Sequence, residues 1–325
     1  MIAAVAVSQN ADDPLAGLEV REKPKPDVPQ GWSLVKIVTS SINMHDVWTL
    51  RGVGHPPELL PRILGCDAAG YDEDGNRVVV HGIIGDLDRG RGDETLDPKR
   101  SLLSEQYEGT FAEYVAVPAR NLVPLPDGIS FADAACLPVA WGTAYRMLAT
   151  QAKLRAGDTV LVQGSAGGVN SAAIKLAVAM GATVYATSRT DEKLALAESW
   201  GARGIADGAR LPEQVDYVID NVGEATWSHS VKSLRPGGAI VTCGATTGMN
   251  PSADLGRIFY QQKRVLGSTM CTLTELQQLV RVMENTGVRP LIDSTVSLEN
   301  IRDGFETLLG GDVRGKIVVR VAEDD

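Results

Sequence analysis

Aromatic residues are scarce in this chain, at 5% of 325 residues. There are four cysteines, Cys66, Cys136, Cys243 and Cys271. None lies close to another, which excludes a CxxC metal knuckle or redox pair. A chain of this length buries a core without disulfides, and unpaired thiols fit a cytoplasmic protein. No stretch approaches the ~20 apolar residues of a membrane span. The N-terminus, MIAAVAVSQNADD, lacks a basic segment and a long apolar one, so it reads as a first strand and not a signal peptide. Basic residues are outnumbered 31 to 41, for a formal charge of −10. That balance repels phosphodiester backbones and anionic lipid, so neither nucleic acid nor a membrane surface is an expected partner. It leaves room for a local basic site for a small phosphate.

What is present is ordinary globular usage, 44% hydrophobic and 22% charged, with 34 glycines. Residues 33–39 (SLVKIVT), 77–81 (RVVVH) and 111–117 (FAEYVAV) read as strands among Gly and Pro punctuation. Residues 86–100 (DLDRGRGDETLDPKR) read as a solvated loop. From about residue 130 the texture changes. Residues 131–149 look helical. Strand candidates at 158–163, 183–187, 216–220, 239–243 and 265–269 then alternate with helical stretches. Such alternation predicts βαβ units and a doubly wound parallel sheet. A last strand covers 315–321. The expectation is an α/β chain with a β-rich domain over 1–125 and 286–325, and a Rossmann domain over 126–285.

Residues 163–170 read QGSAGGVN between a strand and a helix. Glycines there admit a pyrophosphate to the backbone, and the helix N-terminus offers free N–H groups. The dinucleotide fingerprint G-x-G-x-x-G is incomplete: Ser165 and Asn170 hold the outer positions, leaving Gly167, followed by Gly168. Asn170 is expected to push the helix out slightly or to rotate it, because the last glycine normally lets helix and strand pack closely. At the end of the next strand, an NAD site places a carboxylate on the ribose 2′-OH. Ser188 and Arg189 stand there, with Lys193 one turn on. A hydroxyl and two cations favour a 2′-phosphate, hence NADPH.

With these motifs the chain resembles the medium-chain dehydrogenase/reductase superfamily, in its zinc-free quinone oxidoreductase branch. The markers are Asn43-x-x-Asp46 with Arg51-Gly52, the run 65–70 (GCDAAG), 109–114 (GTFAEY), Leu137-Pro138, Thr143-Ala144-Tyr145, Gly167-Gly168-Val169, 220–223 (DNVG), 234–238 (LRPGG) and 315–318 (GKIV). The resemblance implies a GroES-like catalytic domain, a Rossmann domain and a homodimer. It implies hydride transfer to an activated alkene or a quinone. It places Asn43, Thr143, Ser165, Ala166, Gly167, Gly168, Val169, Ser188, Arg189, Lys193, Asn221, Cys243, Gly244, Ala245 and Lys316 at the cofactor.

Zinc-dependent members carry ligands where this chain has Asn43, Cys66 and Val139. One candidate donor of three does not build a tetrahedral site, so no metal is expected. Asn43, His45 and Asp46 are the candidate catalytic residues. His45 stands where the zinc enzymes have a proton-relay hydroxyl; it either donates to the substrate oxygen or protonates the enolate, or else caps local backbone. Trp48, His55 and Trp141 either line a slot for a planar enone or pack in the core. Two other functions fit the same motifs: an NADPH-binding protein without catalysis, and a carbonyl or alcohol oxidoreductase.

Overall fold

The computed structural model describes residues 1–323. The chain divides into two compact units, Met1–Gly142 with the segment from Cys271 onward, and Thr143–Met270. The crossings therefore fall at 142/143 and 270/271, not at 125/126 and 285/286 as the change of texture suggests. Hydrogen bonds explain the shift. Thr39 and Ser41 donate their hydroxyls to the carbonyls of Phe131 and Ala135. His81 Nε2 lies 2.9 Å from the Cys271 carbonyl, and the Leu273 amide donates to Glu94. Both flanking segments thus belong with the β-rich unit.

The first unit is built on a seven-stranded sheet. Its main path runs Leu122–Pro124, Arg77–Val80, Ala68–Tyr71, Trp32–Ile42, Lys316–Arg320 and Ile292–Ser297, with Tyr114–Pro118 also paired to Trp32–Ile42. A second sheet joins Leu18–Glu22, Ile2–Ala6 and Arg62–Ile63. One face buries Val35, Ile37, Val78, Val80, Val115 and Val117. The other packs Leu50, Leu64, Ile301 and Ile317 around Phe111 and Phe305, whose rings meet edge to face at 6.1 Å.

The second unit has six parallel strands, in the spatial order Arg203–Ala206, Thr183–Ser188, Thr159–Val162, Val215–Asp220, Leu234–Thr242 and Arg264–Gly267. In sequence rank this is 3-2-1-4-5-6, the Rossmann order. The order reverses between Thr159–Val162 and Val215–Asp220, so ligands are expected beyond the C-terminal ends of those strands.

One local expectation is refined and two need correction. Residues 131–149 are largely helical, as expected, but not as one regular helix: α-turns at Phe131–Ala134 and Gly142–Arg146 alternate with wider π-type turns over Leu137–Trp141 and Met147–Ala152. Pro138 lacks the N–H a regular helix needs, and the Trp141 amide reaches five residues back to Cys136. The segment 86–100 is not simply solvated. Asp97 is fully buried and takes a two-point contact from Arg89, at 3.0 and 2.8 Å, while Glu94 and Thr95 are also buried. Finally, Arg264–Gly267 is the edge of its sheet and mostly exposed, where a buried strand was expected.

Candidate active site

The helix Met44–Leu50 begins where the long strand Trp32–Ile42 ends, and Asn43 is its N-cap. Asp46 closes a capping box: its Oδ2 accepts the Asn43 amide at 2.8 Å. Its Oδ1 accepts the Gly65 amide at 3.0 Å. Gly65 has φ +96°, and a Cβ there would lie 2.5 Å from Thr110 Oγ1, so only glycine brings that amide to the carboxylate. Burial pushes the Asp46 carboxyl up to about 6, against the pull of His45 and the Asn43 amide.

Beside this box lies a second buried polar cluster. Asp67 Oδ2 accepts from Ser41 Oγ at 2.6 Å and from Asn43 Nδ2 at 2.7 Å, and its Oδ1 accepts the Val139 amide. Lys316 donates to the Ile42 carbonyl at 2.8 Å and to Asn43 Oδ1, with Asp67 at 3.5 Å. Asn43 therefore has both ends of its carboxamide engaged inside the first unit. Lys316, expected at the cofactor, is a buried counter-charge to Asp67. A charge this deep persists only when paired and hydrogen-bonded, and Lys316 is both.

His45 projects from the same helix. Its Nε2 lies 3.1 Å from Glu105 Oε1 and its Nδ1 lies 3.3 Å from Cys66 Sγ. Of the three residues expected to line a slot, Trp141 is fully buried, His55 is buried, and only Trp48 stays partly exposed, with the Arg51 guanidinium 5.3 Å from its ring. The open aromatic slot does not form, since Trp141 takes the core-packing alternative.

Two of the three zinc-ligand positions of the family offer a zinc ion no side-chain donor of the usual kind. Asn43 is spent on Asp67 and Lys316, and Val139 offers only a backbone amide. His45, Asp46 and Cys66 do place ligand-type atoms within 4.8 Å of one another. Both Asp46 oxygens, however, already accept backbone N–H groups, and Cys66 is hydrogen-bonded to His45.

In the second unit, the turn after Thr159–Val162 leads into the helix Gly168–Ala179. Gly167 is the N-cap and no side chain caps it, so this end is open to an anion. Ser165 donates to the Lys193 carbonyl at 3.1 Å, tying the turn to the helix Asp191–Ser199. Ser188 is half-buried, Arg189 exposed and Lys193 half-buried. Gly167 is exposed, Gly168 and Val169 are half-buried, and Ser165 and Ala166 are buried. Cys243 and Ala245 are half-buried and Gly244 is exposed, just past the strand Leu234–Thr242; Thr143 is buried at the start of the unit.

Asn170 is held beneath the turn. Its Nδ2 folds back onto the Gln163 carbonyl, and its carboxamide pairs with that of Asn221. Beneath the turn, Gln163 accepts from Thr187 and donates to His229 Nδ1 and Ser230. Asp220 gathers Thr226, Ser230 and the amides of Val222 and Gly223. Sequence reasoning gave no role to Gln163 or Asp67, although both fall inside quoted motifs, and passed over Glu105. The side chain of each acts on residues far along the chain.

Residues 29–127 match the alcohol dehydrogenase GroES-like domain, and residues 168–285 match the zinc-binding dehydrogenase family. An acryloyl-coenzyme A reductase of Metallosphaera sedula is 30% identical, over 93% of this chain and 96% of its own length. The chain belongs to the medium-chain dehydrogenase/reductase superfamily. Another relative within the superfamily, a crotonyl-CoA reductase of Streptomyces avermitilis, is 28% identical over 91% of this chain and 83% of its own. A crystal structure of an NAD-dependent alcohol dehydrogenase superposes with a TM-score of 0.92, at 30% identity, covering 99% of this chain and all of its own.

Proposed function

We propose that the protein is an NADPH-dependent, metal-independent reductase of electron-poor C=C bonds. Enoyl thioesters are the first substrate class to test, ahead of enones and quinones. The observation that carries the reading is the fate of Asn43, whose carboxamide is consumed by Asp67 and Lys316 at a zinc-ligand position of the family. Relatives named for acryloyl-CoA and crotonyl-CoA reduction support the thioester class.

Bound NADPH would supply the hydride. The chain's own part is to bind and orient it. The open helix end at Gly167–Gly168 suits the pyrophosphate, and Ser188, Arg189 and Lys193 suit the 2′-phosphate. His45 is the group that holds a proton for the substrate carbon. The edge strand Arg264–Gly267, with Val265, Phe259 and Tyr260 exposed, suits pairing with a second copy, which supports a homodimer. Among the described residues no helix is long and apolar enough to cross a membrane. Four free cysteines support a cytoplasmic setting.

The test is NADPH oxidation with a panel of enoyl-CoA thioesters, enones and quinones, on protein stripped of and analysed for metal. The expected result is turnover of at least one enoyl thioester, unchanged by chelator. Tight NADPH binding without turnover of any panel member would overturn the reading. Turnover only of simple carbonyls or alcohols would favour the oxidoreductase type of the structural neighbour.

A further inference from the structure

Gln163 follows the strand Thr159–Val162 and stands directly before the glycine turn of the second unit, with its side chain fully buried. Its carboxamide reaches two other elements. One end lies 3.0 Å from Thr187 Oγ1, on the strand Thr183–Ser188. The other lies 2.9 Å from Ser230 Oγ and 2.8 Å from His229 Nδ1, both on the helix Glu224–Ser233.

Counting hydrogens fixes which end is which. Ser230 has one hydroxyl hydrogen and donates it to Asp220 Oδ2 at 2.7 Å. Toward Gln163 it only accepts, so the carboxamide turns its NH2 to Ser230 and its oxygen to Thr187. His229 agrees with this. Its Nε2 spends the ring hydrogen on the Ala209 carbonyl at 2.9 Å, which leaves Nδ1 as a second acceptor for the NH2 group. The Thr187 hydroxyl therefore donates to Gln163, and its lone pairs are left for the Gly164 amide, 2.9 Å away. Gly164 has φ +83° where the strand ladder ends, and its amide goes to this side chain instead of to a neighbouring strand.

We infer that Gln163, acting through Thr187, is a positioning residue for the dinucleotide; the inference rests on the reading of the glycine turn as the pyrophosphate site. The relay holds the first residue of that turn against the strand that ends in Ser188, the residue assigned to the 2′-phosphate. Gln163 and Thr187 are both buried, so a bond lost here is not replaced by solvent. The other arm of the carboxamide runs through Ser230 to Asp220, which takes the amides of Val222 and Gly223. One side chain thus spans the ends of three neighbouring strands, at the edge where a doubly wound sheet binds its ligand.

The experiment is calorimetric titration of the full chain with NADPH. Thr187→Val keeps the shape and removes the hydroxyl, whereas Thr187→Ser keeps the hydroxyl and removes the methyl. NADPH should bind about tenfold more weakly to the valine variant and within about twofold of wild type to the serine variant. A merely structural role gives the opposite order, because the methyl packs in a buried strand. Gln163→Met fills the space without either polar end, and should lose affinity as Thr187→Val does. The double variant should lose little more than either single one, since both break one path. Wild-type affinity in Thr187→Val, a serine variant as weak as the valine one, or losses that multiply in the double variant would each overturn the inference. Should Gln163→Met not fold, amide exchange of the ligand-free wild-type chain decides in its place. Gly164 should exchange far more slowly than an unstructured peptide, and exchange at the open rate overturns the relay. A folded wild-type chain that binds neither NADPH nor NADH would bring down the dinucleotide reading and the inference with it. Intact wild-type binding with unaffected variants brings down the inference alone.

Discussion

Asn170 and Asn221 pair their carboxamides head to tail, at 3.1 and 3.0 Å, directly under the glycine turn of the second unit. The pair ties the strand end Asp220–Asn221 to the first turn of the helix Gly168–Ala179, and a further bond from Asn170 Nδ2 reaches the Gln163 carbonyl. The glycine missing from the fingerprint is thus replaced by a cross-brace. A substitution that restores the fingerprint, Asn170→Gly, should weaken the protein. It strands the Asn221 amide and the Gln163 carbonyl, each worth roughly 1–3 kcal/mol when left unsatisfied and buried. The check is thermal unfolding with and without NADPH. An unchanged or higher Tm would show that the pair contributes nothing.

Nucleotide choice is assigned to Ser188, Arg189 and Lys193. Arg189→Asp puts a carboxylate where a 2′-phosphate is expected and removes a charge-assisted bond of roughly 1.5–3 kcal/mol. Preference for NADPH over NADH should fall by about tenfold or more, seen in both dissociation constants by fluorescence titration. An unchanged ratio would place the 2′-phosphate elsewhere.

Much of this architecture is legible in the sequence, for definite reasons. Three parallel strands of the second unit, Thr159–Val162, Thr183–Ser188 and Val215–Asp220, are largely apolar runs of four to six residues and fall where expected, whereas Arg203–Ala206, with sequence RGIA, carries no such run and was not expected. The capping relation of Asn43 and Asp46 is likewise local, three residues apart. What is not legible depends on distance along the chain. Glu105 meets His45 across 60 residues, and Lys316 meets Asn43 across 273. Nothing near Lys316 tells a cofactor lysine from a buried counter-ion. Trp141 is a similar case, since an aromatic beside a family motif has the same signature whether it lines a pocket or fills a core.

The burial of Asp46 predicts an unusual pH dependence. Its carboxyl, about 6 in the fold against 3.8 ordinarily, binds a proton more tightly folded than unfolded. Stability from this group is therefore greatest at low pH and declines as pH rises from about 4 to above 6, by roughly 3 kcal/mol. The measure is urea unfolding of the wild type and Asp46→Asn at several pH values. The gap between them should shift in favour of the wild type on acidification. A gap independent of pH would show that Asp46 titrates alike in the folded and unfolded chains, and a gap moving against the wild type on acidification would show that the two backbone N–H groups hold it ionised.

Gly142 is the last residue of the first unit before the chain leaves it, and Cys271 is the first after the chain returns. A Cβ on Gly142 would lie 2.3 Å from Cys271 Sγ and 3.1 Å from its Cβ. Cys271 is fully buried, so the sulfur has no open space to move into. Gly142→Ala should therefore destabilise by overpacking, roughly 1–3 kcal/mol. Cys271→Ala removes the offending atom but leaves a void, and alone should also cost stability. Together the two should cost less than their sum, because the new methyl fills the space the sulfur vacates. Four unfolding free energies close the cycle. Strict additivity would mean that the backbone around Gly142 yields instead, and that the contact between the two crossings is not tight.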